Sequence, residues 1–249
     1  MFKLILLSML LLSSFLSAGD IKIAVAANVS YAMNDLKKAF SKIHPEIKVK
    51  VILGSSGKLT AQIRHGAPYE LFMSADMNYP QALYQDKTAL KEPVVYAQGE
   101  VALFSPKSRD FTQGLSLLRS KEISKIAIAN PKTAPYGKAA LEALKNARVY
   151  KDIKEKFVYA ESISQTISYT LVATDIGMIA KSSLYSPQMK RFKKGRHWSE
   201  VDPKLYSPIK QGMVILKEGG DNPEVAAFYN FILGEDAQKI LKDFGYTLP

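Results

Sequence analysis

Apolar and polar positions along this chain follow two alternating periods. Residues 21–26 (IKIAVA) form a short apolar run typical of a strand, and residues 30–43 then place Ala32, Met33, Leu36, Phe40 and Ile43 at helical spacing. Residues 47–53 (IKVKVIL) alternate with a period of two, and a short helix is predicted over 58–64, stopping near Gly66. A strand over 70–73 and a helix over 79–85 repeat the pair. After Gln98-Gly99 the rhythm restarts, with strands over 101–104, 126–129 and 176–180 and helices over 115–119, 138–147 and 163–174. A last strand over 213–216 precedes helices over 224–233 and 235–244. Strands alternating with helices predict βαβ units and parallel sheets. Phe40, Phe228 and Phe231 fall on apolar helical faces and are assigned to the core.

The first half holds strands enough for one sheet, and the restart near residue 99 implies a second. Two C-terminal helices are too few to fold alone, so they return to the first half. The expected division is lobe I over residues 19–98 plus 211–249 and lobe II over 99–210. Such a topology needs two crossings, near 98–100 and 208–212, which make a hinge with a cleft beside it. Residues 1–18 (MFKLILLSMLLLSSFLSA) read instead as a secretory signal, with one Lys, an apolar run and Ala18 before the cut. Export is the expected consequence.

Composition narrows the chemistry. The 249 residues are 47% hydrophobic and 23% charged, an ordinary globular balance. With no Cys, disulfides, thiol nucleophiles and thiolate metal sites are excluded, and three His (His44, His65, His197) argue against an imidazole metal cluster. The net charge of +11 invites a nucleic-acid reading, with its densest cluster at Lys190, Arg191, Lys193, Lys194 and Arg196. The other lysines are spread along amphipathic helices and no nucleic-acid motif is present, so the charge is read as a solvated face.

Ligands of open α/β sheets bind beyond the carboxyl ends of strands, where helices begin. Four such turns share one chemistry. The first is Ala27-Asn28-Val29-Ser30, where Asn28 is a potential N-cap with an amide donor. The second, Gly54-Ser55-Ser56-Gly57-Lys58, combines small residues with a helix start that favours negative charge. In the third, Asn130 to Gly137, Pro135 suits the first helical position and leaves the N–H groups of Tyr136 and Gly137 unpaired. The fourth carries Ser162 and Gln165 as a capping box, with the N–H of Ile163 in the first turn. If the four converge, they form an anion cage of uncharged donors.

Competing motifs fail on inspection. GSSGKL has Ile52 where a phosphate-binding loop needs glycine, and Leu59 where it needs a hydroxyl. Neither Ser55 nor Ser56 centres a Gly-x-Ser-x-Gly elbow. A secreted hydrolase using Ser56 or Asp76 is the alternative from another class, but no histidine motif accompanies them, and Asp76 also fits a helix cap.

The stretches IAVAANVSYAMNDL, GSSGKLTAQIRHGAPYELFMSAD, NPKTAPYGKAALEAL and FYNFILGEDAQKILKDFGYTLP together resemble the periplasmic molybdate-binding proteins of ABC importers, in order and over nearly the whole chain after the leader. The resemblance implies a type II periplasmic-binding-protein fold, with two α/β lobes closing over one tetrahedral oxyanion. It implies no cofactor and no catalysis, but molybdate or tungstate as ligand, and a monomer in the periplasm delivering to a membrane permease with its cytoplasmic ATPase. A sulfate or tungstate receptor on the same fold is its nearest variant. The binding positions it implies are Asn28, Ser56, Tyr136 and Ile163, holding the metal only through its oxygens. The family often has a tyrosine where Ala180 stands here, and the Tyr136 phenol is the candidate replacement donor.

Overall fold

The computed structural model describes residues 19–249, so the stretch read as an export signal lies outside the described residues. In chain order the strands are β1 (Asp20–Ala26), β2 (Lys48–Gly54), β3 (Leu71–Met73), β4 (Val94–Gly99), β5 (Val101–Phe104), β6 (Ile126–Ala129), β7 (Phe157–Ala160), β8 (Ile176–Ala180), β9 (Trp198–Glu200) and β10 (Ile209–Ile215). The α-helices are α1 (Ser30–Ile43), α2 (Ser56–Arg64), α3 (Asn78–Gln85), α4 (Pro135–Asn146), α5 (Tyr150–Ile153), α6 (Ile163–Val172), α7 (Pro223–Leu233) and α8 (Glu235–Asp243).

Among the described residues, ten strands form two five-stranded sheets, ordered β2-β1-β3-β10-β4 and β7-β6-β8-β5-β9. The chain passes between them through Glu100 alone, between β4 and β5, and returns between β9 and β10. The expectation of parallel sheets needs correction. β1 runs parallel to β2 and β3, and β6 to β7 and β8, but β10 is antiparallel to β3 and β4, and β5 to β8 and β9. The strands that enter a sheet across the hinge come from the far lobe rather than over a helix, so no crossover forces them parallel.

Several local boundaries also move. The strands β4, β7 and β9 were not foreseen, and β10 begins at Ile209 rather than 213. The segment Phe111–Arg119 is a 3-10 stretch broken at Gly114, whose positive φ of 54° interrupts it. Helices α2 and α4 begin at Ser56 and Pro135, earlier than their periodicity suggests, because their first turns face the cleft with small or polar residues.

The first lobe packs α1, α7 and α8 on one face of its sheet, with Phe40 edge-on to Phe228 at 5.0 Å and tilted against Phe231 at 5.3 Å. Phe40 and Phe228 are wholly buried, and Phe231 packs partly buried against them. The C-terminal tail returns to the hinge, where Gln98 and Thr247 exchange backbone hydrogen bonds of 2.8 and 3.0 Å. No helix among the described residues is long and apolar enough to cross a membrane.

Candidate functional site

The four turns meet at one place. Asn28 and Ser56 from the first sheet's side, and Tyr136 and Ile163 from the second's, line one small cavity together with Ser55 and Ala75. Its remaining lining is alanine, glycine and proline, so no charged side chain is among the described residues that border it. Two larger hollows, one beside Ile43 and Phe231 and one between α1 and α6, each meet a single α-helix start, that of α8 and that of α1, and each is bordered by carboxylates, Glu235 and Asp236 in the first and Asp35 in the second.

The lobes are closed over the cavity by direct bonds. The Gly57 N–H donates to Thr133 O at 2.9 Å, and Tyr79 Oη donates to Lys132 O at 3.3 Å. Ser182 Oγ donates to Asn28 O at 3.3 Å. At the rim, Glu161 accepts from Ser55 Oγ at 3.4 Å and faces Lys58 Nζ at 3.7 Å. Both partners of that ion pair are about half exposed, and such pairs contribute only ~0–1 kcal/mol.

Each turn presents its donors differently. Ser56 is 1% exposed and opens α2, with Ser55 in the extended cap position before it. Its Oγ accepts from the Ala75 N–H at 3.0 Å, which leaves the hydroxyl proton available to a guest. In α4, Pro135 takes the first position as expected, and Tyr136 and Gly137 follow in the first turn, where N–H groups have no intrahelical acceptor. Only glycine fits at 137, because a Cβ there would sit 2.1 Å from Ala129 O. At α6 the first bond of the expected capping box forms, with the Gln165 N–H donating to Ser162 Oγ at 3.3 Å, while Gln165 Oε1 accepts from the N–H of Glu161, one residue before the cap, at 2.7 Å. Ile163 therefore begins the helix with its N–H in the unpaired first turn.

Asn28 does not act as a cap. A 3-10 turn over Ala27–Val29 runs straight into α1, which Val29 precedes without a side-chain bond. The Asn28 amide instead turns inward, where Nδ2 donates to Gln211 Oε1 at 2.8 Å and to Tyr246 Oη at 3.0 Å. The Tyr136 phenol also points into the hinge. Its Oη accepts from Gln211 Nε2 at 3.3 Å, and a Cβ on Gly99 would lie 1.9 Å from it. Ala180 closes β8 and does not border the cavity.

Beneath the cavity, then, lies a buried polar layer of Asn28, Gln211, Tyr96, Tyr136 and Tyr246. Burial pushes the Tyr246 phenol up to about 12, and lifts Tyr96 and Tyr136 well above the ordinary phenol value, so all three stay protonated near neutrality. Gln211, Tyr96 and Tyr246 were missed at the sequence level as site residues. The signal was available: Ile209, Gln211 and Met213 share one face of β10, and a glutamine on a buried strand face must find partners.

The hydrolase alternative finds no support here. Ser56 Oγ meets a backbone N–H and no base. Asp76 accepts from the Tyr79 N–H at 3.3 Å from just ahead of α3, whose cap position is Met77, and its carboxyl is raised chiefly by desolvation. The basic cluster lies elsewhere, with Lys194 paired to Glu200 at 2.7 Å and Arg191 stacked 4.8 Å over Phe192. No group of three or more His, Asp or Glu poised for a metal ion occurs among the described residues.

Comparison with known proteins agrees with this geometry. The family described as bacterial extracellular solute-binding protein matches residues 21–247. The molybdate-binding protein ModA of Azotobacter vinelandii is 34% identical over 242 residues, 96% of this chain and 94% of that relative. ModA of Rhodobacter capsulatus is 32% identical over 235 residues, covering 93% of this chain and 89% of that relative. The solved structure of the Azotobacter vinelandii periplasmic molybdate-binding protein superposes with a TM-score of 0.85 at 31% identity, covering 92% of this chain and 99% of that one. Matched across both sheets and all four turns of the cavity, the chain belongs to the bacterial extracellular solute-binding protein family.

Proposed function

We propose that this protein captures molybdate, and tungstate with it, outside the cytoplasm and hands it to the permease of an ABC importer driven by a cytoplasmic ATPase. It acts as a monomeric receptor in the periplasm, without catalysis and without a cofactor. Its lobes are residues 19–98 plus 211–249 and residues 99–210, and the anion sits between them. The observation that supports this reading is a cavity between the lobes bordered, among the described residues, by helix starts from both of them and by no charged side chain.

The chemistry follows from the donors. Molybdate and tungstate near neutral pH are dianions that only accept hydrogen bonds. Ser56 offers a hydroxyl proton, Asn28 an amide, and Tyr136 and Ile163 offer first-turn N–H groups backed by helix dipoles. Hydrogen phosphate carries a proton that such a cage leaves without an acceptor, which costs ~1–3 kcal/mol or more. Sulfate has the same acceptor pattern, and only the size of the cage separates it. Neutral donors also leave no uncompensated buried charge when the lobes part. Closure is then driven by the contacts the anion makes with both lobes at once.

A thermal-unfolding panel of molybdate, tungstate, sulfate, phosphate and chromate tests the reading, because a ligand that binds only the folded state raises the melting temperature by mass action. Molybdate and tungstate are expected to give the largest shifts. No shift with either, beside a clear shift with sulfate, would reassign the receptor to sulfate.

A further inference from the structure

The reading above asks Asn28 to present N–H groups to the anion, yet its nitrogen is turned away. Nδ2 is spent on Gln211 Oε1 and Tyr246 Oη, and Oδ1 is buried with no hydrogen-bond partner. Asn28 is 1% exposed and borders the cavity, so the amide end left for a guest is an acceptor. A buried unpaired acceptor is costly, and an acceptor facing an acceptor-only dianion is worse.

The surrounding groups offer a second arrangement in which the Asn28 oxygen is paired and only its nitrogen is left open. The two ends of a carboxamide have nearly the same shape, so half a turn of the terminal torsion exchanges donor for acceptor without moving other atoms. If Asn28 turns alone, its oxygen meets Gln211 Oε1 at the 2.8 Å now spanned by a hydrogen bond, and the two repel. If Gln211 turns with it, Gln211 Nε2 donates both to Asn28 Oδ1 and to Tyr96 Oη, which now lies 2.9 Å from Oε1. Tyr96 keeps an acceptor for its proton in Ser74 O at 3.3 Å. Gln211 Oε1 moves opposite the Tyr136 phenol, which at present only accepts, and takes its proton. Tyr246 can turn its proton from Asn28 O, 2.9 Å away, to Oδ1, while Ser182 Oγ continues to serve that carbonyl. Both hydrogens of Asn28 Nδ2 are then free for the anion.

We propose that Gln211 is the positioning residue that sets the sense of the Asn28 amide, and that anion binding turns the two amides together. This rests on the oxyanion reading of the cavity. Each arrangement leaves one Asn28 atom for the guest to satisfy, an oxygen now and a nitrogen after the turn. The dianion selects the second. Gln211 reaches both lobes, with Asn28 on one side and Tyr136 on the other, so the turn also reseats the bond that joins the lobes beneath the ligand. It further assigns the Tyr136 phenol a role other than ligand donor: it gives its proton to Gln211 and holds the turned state.

The test is side-chain amide NMR on the isotopically labelled protein, recorded without and with saturating molybdate, beside calorimetry on the wild type and Gln211→Met. The strongest nuclear Overhauser contacts of the Gln211 amide protons are expected to pass from the Tyr136 ring to the Tyr96 ring when molybdate binds. Gln211→Met is expected to bind molybdate at least tenfold more weakly. If molybdate binds the wild type while the Gln211 amide protons stay against Tyr136, or if Gln211→Met binds as tightly as the wild type, the proposal is overturned and the receptor reading stands. If the wild type binds neither molybdate nor tungstate, the receptor reading itself fails and takes the proposal with it.

Discussion

Replacing Ser56 with alanine separates two bonds made by a single oxygen. Ser56 Oγ accepts from the Ala75 N–H at 3.0 Å in the closed cavity, and its own proton is left for the anion. The Ala75 bond exists with or without ligand, so its loss cancels from the affinity and appears only in stability. An orphaned buried N–H costs ~1–3 kcal/mol, which in a chain of this size lowers the melting temperature of the free protein by roughly 2–12 °C. The bond to the dianion is charge-assisted and is lost only from the complex, at ~1.5–3 kcal/mol. That corresponds to an affinity roughly 10- to 150-fold weaker. Isothermal titration with molybdate reads the second effect, and thermal unfolding without ligand reads the first. An affinity within twofold of the wild type would refute the assignment of the Ser56 hydroxyl as a ligand donor, whatever happens to the melting temperature.

Gly99→Ala places a Cβ 1.9 Å from Tyr136 Oη and 2.9 Å from Gln211 Nε2, so the phenol must move and the first turn of α4 with it. Molybdate affinity by titration is expected to fall more than tenfold. Lys58→Ala, which removes the cation paired with Glu161 at the rim, is expected to change affinity less than threefold at 0.15 M salt, since that half-exposed pair is worth ~1 kcal/mol at most. Alkaline stability follows from the buried phenols. Tyr246 is raised to about 12, with Tyr96 and Tyr136 also raised, so the folded state holds protons that the unfolded chain releases near 10. Their contribution is complete below pH 10 and is lost as pH climbs toward 12, which melting curves from pH 9 to 12 will show as a steep decline.

Much of the architecture could be read from local patterning. The strands around residues 101–104, 126–129 and 176–180 are continuous apolar runs and that around 21–26 is broken only by the exposed Lys22, and the structure places all four away from the sheet edges. What escaped was set by partners distant in sequence. β4 (VVYAQG) lacks clean alternation because its Tyr96 and Ala97 are both buried, one toward the hinge layer and one toward the core. β9 is three residues long and exists by pairing with β5 at the sheet edge. The direction of β10 depends on which lobe the chain comes from, which no local period records.

The site was legible to a similar extent. Helix starts can be found from Pro135, from Ser162 with Gln165, and from the small residues around Ser56, and those turns do border one cavity. The sense in which a side chain uses its donors cannot be found that way. Asn28 has the residue type of a cap, but Gln211 and Tyr246, which lie 183 and 218 positions away, claim its amide. The Tyr136 phenol likewise looks like a stand-in for a donor at Ala180 until Gly99 and Gln211 are seen around it.

A crystal structure of the protein grown with molybdate tests the central claim most directly. The account predicts the anion inside the interlobe cavity, its oxygens about 2.7–3.1 Å from Ser56 Oγ, the Asn28 amide and the N–H groups of Tyr136 and Ile163. A molybdate held on a lysine or arginine side chain, or bound outside the space between the lobes, would contradict it.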